Sequence, residues 1–175
     1  DVVREYLLEV KQGLDRMANI VKNLLAFSRR QRVTLKPVDV NEVLENVLSD
    51  VTDAFYPSRV QMIKAYHPDL PFLLDKGIDQ IFTNIIKNAI EAMPHGGTLR
   101  IATQKNEQEI VVRIADTGHG ISKEDQPYIF EPFFTTKEID KGCGLGLAIC
   151  YELIQAYEGR IEVESEKSRG STFLI

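Results

Sequence analysis

The chain has 175 residues, of which 43% are hydrophobic and 27% charged, as is usual for a soluble globular protein. Its formal net charge of −5 is unlike the basic excess of nucleic-acid binders, and no apolar run approaches the roughly 18 residues of a membrane span. We therefore expect no nucleic-acid partner and no membrane segment in this stretch. The length allows one domain with one additional element.

The two cysteines, Cys143 and Cys150, have no histidine near them at zinc-ligand spacing. Neither a disulfide framework nor a metal cluster is expected, and a reducing, cytoplasmic setting fits best. No signal segment is visible, and the chain begins at Asp1 without a methionine. We interpret it as a fragment of a longer protein, whose own membrane anchoring the sequence leaves open.

Residues 1–30 predict one long helix, because apolar residues alternate spacings of four and three at Val3, Leu7, Val10, Leu14, Met17, Val21 and Leu24. Ile20, Leu25 and Phe27 widen the apolar face, which favours a four-helix bundle over a two-stranded pair. Such a helix needs partner helices that this stretch does not contain. The alternative is a helix folded back onto the domain's own core.

Residues 31–39 predict a linker running into an edge strand, since they are polar or β-branched and include Pro37. Asp39 and Glu42 form a capping-box pattern at the start of a helix that reaches about Ala54. A short helix capped by Ser122 and Asp125 and an amphipathic helix over 147–157 follow later. Strands are predicted over 60–66, 71–74, 98–105, 109–115, 160–164 and 171–175.

The predicted elements never alternate strictly as strand, helix, strand. Residues 40–175 therefore predict an α+β fold, a two-layer α/β sandwich with a mixed sheet and three helices on one face. Its central helix spans 77–93, with Asp75 upstream as a candidate N-cap. The apolar residues of this helix recur at spacings of three and four: Ile78, Ile81, Phe82, Ile85, Ile86, Ala89 and Ile90.

Opposite this apolar face lies one narrow polar stripe, formed by Gln80, Asn84, Asn88 and Glu91. Asparagine inside a helix costs up to about 0.7 kcal/mol relative to alanine. Two asparagines on one line therefore favour a ligand. The alternative is a solvated face that happens to carry them.

One glycine-rich segment suggests nucleotide binding. Residues 142–146 open directly onto a helix, whose unpaired N–H groups suit a phosphate. A P-loop is excluded because its Gly-Lys-Ser/Thr sequence is absent, and a dinucleotide fingerprint would need glycine where Leu147 stands. Taken alone, this loop could be a flexible surface turn, and Asp116 a turn former. Phe130, Phe133 and Phe134 would ordinarily be core anchors.

Five motifs resemble, in order and spacing, the N box, first glycine box, F box and second and third glycine boxes of sensor histidine kinases. They are NIIKNAIEAM (84–93), DTGHGI (116–121), FEPFFTTK (130–137), GCGLGLAI (142–149) and GSTF (170–173). The sequences NAIEAM and PFFTTK most resemble the nitrogen-regulation or sporulation kinases. The resemblance covers nearly the whole chain and implies the ATP-binding sandwich shared with gyrase, heat-shock chaperone and mismatch-repair ATPases.

The resemblance implies a site for ATP and Mg²⁺. Asn88 matches the magnesium ligand, with Asn84 one turn earlier, and a hard cation prefers such oxygen ligands. Asp116 matches the carboxylate that accepts from the adenine amino group, beside Gly118 and Gly120, where the backbone passes close to the base. The other implied nucleotide-binding residues are Lys87, Ile121, Phe130, Thr136, Lys137, Gly142, Gly144, Leu145, Gly146, Leu147 and Thr172. Asn84, Asn88 and Lys137 are the implied catalytic residues, and His119 is interpreted as incidental.

Asn84 bears on the reaction class. Hydrolytic relatives carry a glutamate at this position, where it orients the attacking water. A neutral imidazole needs no general base to attack a phosphate, so Asn84 favours phosphoryl transfer to histidine over hydrolysis. Transfer should depend on positioning and on charge neutralisation by Mg²⁺. The alternatives are a serine-directed protein kinase of the same superfamily and an ATP-regulated binding module that transfers no phosphate.

The acceptor histidine of the family lies on the first helix of a dimerising hairpin. His67, His95 and His119 all fall in predicted loops or turns, so none matches. Residues 1–30 resemble the second hairpin helix alone, and we expect no autophosphorylation by this chain. The implied partners are the hairpin of the same or a partner chain, a second copy in a full-length homodimer, and a response regulator whose aspartate receives the phosphate. Residues 135–146 are expected to be disordered without nucleotide.

Overall fold

The computed structural model describes residues 6–7, 10–11, 13–14, 36–55, 59–137 and 143–175. The described residues before residue 15 are helical, and Leu7, Val10 and Leu14 of the heptad pattern are each at least 56% exposed. At these three positions the side chains therefore do not pack on the domain core. The rest of the predicted 1–30 helix, the linker residues 31–35, and Gly142 within the 135–146 loop lie outside the described residues.

The described part of residues 36–175 contains three helices and seven strands. The helices are α1 (Val40–Phe55), α2 (Ile78–Glu91) and α3 (Gly146–Gln155). The strands are β1 (Pro37–Val38), β2 (Val60–Ala65), β3 (Leu73–Leu74), β4 (Gly97–Lys105), β5 (Ile110–Asp116), β6 (Glu162–Glu166) and β7 (Gly170–Leu174). A 3₁₀ turn over Gln126–Tyr128 follows the predicted Ser122–Asp125 cap, in which Ser122 Oγ donates to the Asp125 carboxylate at 2.8 Å.

Five strands form one sheet in the order β2-β4-β5-β7-β6, with β2 parallel to β4 and all other neighbours antiparallel. The short strands β1 and β3 pair with each other in a separate two-stranded sheet. The predicted α+β fold with a mixed sheet and three helices is confirmed. The strand expected over 71–74 is shorter, since only Leu73–Leu74 pairs, and the strand expected over 160–164 lies two residues later.

The central helix α2 packs against α1, α3 and β5. All seven apolar residues predicted for its inner face are buried, and Phe82 is completely inaccessible. The predicted N-cap is wrong: Gly77 occupies that position with φ 97°, a conformation that favours glycine. The Asp75 carboxylate instead accepts the N–H of Gly77 at 2.9 Å in the preceding turn.

The start of α1 follows the predicted capping pattern. The Asp39 carboxylate accepts the backbone N–H of Asn41 at 2.8 Å and that of Glu42 at 3.4 Å. These bonds satisfy two of the N–H groups that a helix start leaves unpaired. The predicted capping role of Asp39 at the start of α1 is therefore confirmed.

Truncating the side chain at the centre of the core should unfold the domain readily. We expect Phe82→Ala to lower the free energy of unfolding by about 3–5 kcal/mol, because it leaves a large cavity between α2 and its neighbours. Urea unfolding followed by circular dichroism measures this loss. Phe72→Ala is the matched control: Phe72 is 70% exposed, so its loss should change stability by about 0.5 kcal/mol or less. Equal losses in the two variants would contradict this packing.

Candidate nucleotide site

The polar stripe of α2, the end of β5 and the start of α3 bring the predicted site residues to one end of the domain. Asp116, the last residue of β5, is only 8% exposed. Burial raises the pKa of its carboxyl group, while hydrogen bonds from the backbone N–H groups of Gly118 and Ser171 act in the opposite direction. The Gly118 bond is 2.8 Å long. The result is a fixed, largely dehydrated acceptor at the strand end.

The glycines after Asp116 are required by contacts within the protein. A Cβ atom at Gly118 would lie 2.6 Å from both the Cβ and the carbonyl oxygen of Ala92, at the end of α2. Gly120 has φ 66°, and a Cβ there would lie 2.1 Å from the carbonyl oxygen of Glu166. The loop is therefore clamped between α2 and β6. This is a reason for the two glycines in addition to the close approach of a base.

Asn84 links α2 to α3. Its Nδ2 donates to the carbonyl oxygen of Gly146 at 3.0 Å, and the side chain is half-buried. Cys150, one turn further along α3, also interacts with the Asn84 side chain. The amide is thus held by the phosphate-binding end of α3 that the sequence predicts.

Asn88 and Glu91 are covered by a side chain from the F box. Lys137 Nζ donates to Asn88 Oδ1 at 3.0 Å and forms an ion pair with the Glu91 carboxylate. Together with the Asn84 bond, this means that the stripe contacts other segments of the chain and is not an open solvated face. At the C-terminal end of the stripe, the oxygen atoms of Asn88 and Glu91 both contact the ammonium group of Lys137.

The F box contacts the second glycine box through the backbone. Gly144 has φ 67°, and a Cβ there would lie 2.5 Å from the carbonyl carbon of Phe133. The N–H of Phe133 donates to the Gly144 carbonyl at 2.9 Å. Phe130 lies 5.7 Å from the ring of Tyr151, whereas Phe133 is 64% exposed and is not a core anchor.

Comparison with known proteins identifies the family. The model of the "Histidine kinase-, DNA gyrase B-, and HSP90-like ATPase" family matches residues 74–175, which is more than half of the chain. This chain belongs to that family. The resemblance found in the five motifs is thereby confirmed, and several sporulation kinases are among the relatives of this histidine kinase-like domain.

Two curated relatives illustrate the similarity. Sporulation kinase C of Bacillus subtilis (strain 168) is 32% identical, over 98% of this chain and 40% of its own length. Sensor kinase CckA of Brucella abortus (strain 2308) is 35% identical, over 97% of this chain and 20% of its own length. The histidine kinase-like chain thus spans less than half of these relatives.

Solved structures share the fold. Full-length ShkA in complex with AMPPNP superimposes with a TM-score of 0.82 at 26% identity, covering 98% of this chain and 37% of that one. Histidine kinase ThkA in complex with the response regulator protein TrrA gives a TM-score of 0.79 at 26% identity, covering 99% and 50%. Within the residues that the structure covers, no helix of this histidine kinase-like domain has the length and apolarity to cross a bilayer.

The third glycine box of the histidine kinase-like domain places Ser171, not Thr172, on the side of Asp116. In the β5–β7 register Ser171 pairs with Asp116 and Thr172 with Ala115. Side chains alternate along strands, so Thr172 points to the opposite face of the sheet. Ser171 is 6% exposed, and its Oγ lies 3.0 Å from Ser165 Oγ. Sequence analysis named neither serine, although Phe173, two residues after Ser171 and therefore on the same face of the strand, indicated that Ser171 faces the core.

The remaining predicted residues of this histidine kinase-like site are dispersed. Ile121 is half-buried, and its N–H donates to Ser165 Oγ at 2.8 Å. Leu145 is buried and Leu147 packs partly against the core, whereas Lys87 and Thr136 are exposed. A shallow cleft of about 320 Å³ is lined by Asp116, by Ser171 and Thr172 of β7, and by residues of β6 and the turn that follows it. A larger cavity of about 480 Å³ lies at the other end of the sheet, and its lining includes none of the predicted site residues.

Cys150 should be almost inert to alkylation in the folded histidine kinase-like domain. Its thiol is fully buried and donates to the carbonyl oxygen of Ile81 at 3.7 Å, and burial raises its pKa from 9.0 to about 12. At pH 8 the thiolate fraction is then about a thousandfold smaller than in the unfolded chain. Iodoacetamide labelling with and without urea, quantified by peptide mass spectrometry, measures the difference. Similar rates in both conditions would contradict the buried thiol.

Proposed function

We propose that this chain is the ATP-binding catalytic domain of a sensor histidine kinase and transfers the γ-phosphate of ATP to a histidine outside the chain. The carrying observation is the Asn84 amide, which donates to Gly146 at the start of α3. An amide cannot take a proton from water, so this position supports transfer to an imidazole and disfavours hydrolysis. The alternatives are a serine-directed kinase of the same superfamily and a binding module that transfers no phosphate.

Asp116 would hold the adenine end of the nucleotide. Its buried carboxylate can accept a hydrogen bond from an amino group, and a charged acceptor in a dehydrated position makes a strong bond. Ser171 lies on the same face and would take the part first assigned to Thr172. The complex of ShkA with AMPPNP supports an adenine nucleotide as the ligand of this fold.

The residues at the far end of α2 fit Mg²⁺. Asn88 Oδ1 is an oxygen atom that could bind a metal ion. It already accepts a hydrogen bond from the cationic Lys137, so the position accommodates positive charge. Among the described residues, no three His, Cys, Asp or Glu side chains group as metal ligands. Asn88 would supply a protein oxygen to the ion. Bound Mg²⁺ supplies charge neutralisation, while Asn84 and the start of α3 position the phosphates and Lys137 contacts them.

We propose the domain organisation predicted from the sequence: a hairpin helix over 1–30, a linker over 31–39 and the catalytic domain over 40–175. The exposed Leu7, Val10 and Leu14 support a partner helix against the first segment. By this proposal the full-length protein is a homodimer, its hairpin carries the acceptor, and the domain lies in the cytoplasm. The complex of histidine kinase ThkA with TrrA supports relay to the aspartate of a response regulator.

The test is phosphorylation in trans. The chain is incubated with γ-labelled ATP, Mg²⁺ and a separately produced hairpin fragment that bears the acceptor histidine of a sporulation-kinase relative. We expect phosphate on the hairpin that is labile in acid and stable in base, and none on this chain or on a hairpin whose histidine is replaced by glutamine. Acid-stable phosphate would favour a serine-directed kinase. Tight nucleotide binding without transfer would favour the binding module.

A further inference from the structure

The amino group of Lys137 lies between two oxygen atoms of α2. It donates to Asn88 Oδ1 at 3.0 Å and pairs with the carboxylate of Glu91, three residues further along the helix. The side chains of Lys137 and Glu91 are 34% and 38% exposed, so both are about two-thirds shielded from solvent. Residues three apart on a helix lie on the same side, which is why one ammonium group reaches both oxygens.

Asn88 Oδ1 cannot serve this ammonium group and a magnesium ion together. A protein oxygen binds Mg²⁺ at about 2.0–2.1 Å, so the two positive charges would lie within a few ångströms of each other and repel strongly. Binding of the metal at Asn88 therefore requires Lys137 to leave that oxygen. Glu91 then decides how strongly Lys137 is held.

We propose that Glu91 is a positioning residue that holds Lys137 across Asn88 in the nucleotide-free domain, so that the lysine closes the metal position until ATP and Mg²⁺ displace it. This inference rests on the proposed function of the same site. On binding, the Lys137 ammonium exchanges its contacts with Asn88 and Glu91 for phosphate oxygens, so the ion pair with Glu91 exists only in the free state. Glu91 thus lowers nucleotide affinity by stabilising the free state.

The first readout needs no nucleotide. Acetic anhydride labels lysine amines, and peptide mass spectrometry gives the labelling rate of Lys137 alone. We expect Glu91→Gln to raise this rate about two- to fivefold, the range that a partly exposed ion pair provides. Glu152→Gln removes an equal charge from the exposed face of α3 and should leave the rate unchanged. An unchanged Lys137 rate in Glu91→Gln would overturn the proposal, whatever the nucleotide data show.

The second readout is ATP affinity with Mg²⁺, measured by titration calorimetry. We expect Glu91→Gln to bind about two- to fivefold more tightly than the parent. Removing a negative charge near phosphates also strengthens binding by itself, so the comparison is repeated in a Lys137→Met background, where Glu91→Gln should gain less. Equal gains in both backgrounds, or weaker binding in Glu91→Gln, would overturn the proposal. A parent chain that binds no nucleotide would refute the proposed function, while the labelling rates would still decide whether Glu91 holds Lys137.

Discussion

Asp116→Asn is expected to weaken ATP binding by roughly 10- to 100-fold, the loss expected when a hydrogen bond to a charged group is replaced by a mismatch. The asparagine side chain keeps an oxygen for the 2.8 Å bond from Gly118 N–H. Its second polar atom becomes an N–H₂ group, which would face the amino group of adenine as donor against donor. Binding is therefore lost although the local fold is retained.

The same substitution should raise the thermal stability of the nucleotide-free domain at neutral pH. Burial raises the folded-state pKa of Asp116 above its value in the unfolded chain. The stability that this group contributes is therefore present at low pH, where it is protonated, and is lost as the pH rises through the folded pKa. Asparagine stays neutral, so the variant should melt higher than the parent at pH 8 and about equally at acid pH.

Titration calorimetry and melting curves at pH 8 and pH 4 measure the two effects of Asp116→Asn. Asp50→Asn is the control, because Asp50 is exposed on α1 and should change neither ATP affinity nor the pH dependence. A variant that melts lower than the parent at neutral pH would mean that the bonds from Gly118 and Ser171 outweigh the cost of burial. Unchanged ATP affinity would remove Asp116 from the adenine site.

The inner face of α2 was predictable because helix periodicity is local. Spacings of three and four place Ile78, Phe82 and their neighbours on one face whatever the helix packs against, and all of them are buried. The N-cap was not predictable in the same way. Asp75 suits a cap, but its carboxylate serves a turn instead, because Gly77 takes the left-handed conformation that begins the helix.

The face of a strand depends on its partner, which a single sequence does not give. GSTF offers two hydroxyl residues, and only the pairing of Ser171 with Asp116 assigns the first of them to the site. The need for glycine at position 118 could not be predicted for the same reason, because it depends on the close approach of Ala92, which is distant in sequence. The motifs therefore named the residues of the candidate site, while the contacts between those residues required the tertiary structure.

The sequence of α2 marked its polar stripe as unusual but could not show which residues its side chains contact. Asparagine at two positions on one helix face is unfavourable for the helix alone. In the fold each amide has a distant partner: Asn84 binds the start of α3, and Asn88 binds Lys137. The low helix propensity of the two asparagines is offset by contacts between segments about 50 to 60 residues apart. By the proposed function, a bound nucleotide would rearrange these contacts.

Asn88→Ala should abolish most phosphoryl transfer, lowering the rate by on the order of 100-fold or more through loss of the protein oxygen on Mg²⁺. Unfolding cannot account for this result, because alanine is favoured over asparagine inside a helix by up to about 0.7 kcal/mol. The variant should therefore stay folded. Binding of ATP in EDTA should persist, since Asp116 and the adenine end are untouched, whereas the gain in affinity on adding Mg²⁺ should disappear.

Asn88→Asp provides the matched variant, because it restores an oxygen ligand at the same position. We expect it to recover part of the Mg²⁺-dependent gain in affinity, although its charge also strengthens the hold on Lys137. Calorimetric titrations of the three proteins with and without Mg²⁺, beside the transfer assay with the acceptor hairpin, separate metal binding from fold stability. If Asn88→Ala kept the full Mg²⁺ effect, the metal would be held by other residues, and the polar stripe of α2 would contribute structure rather than chemistry.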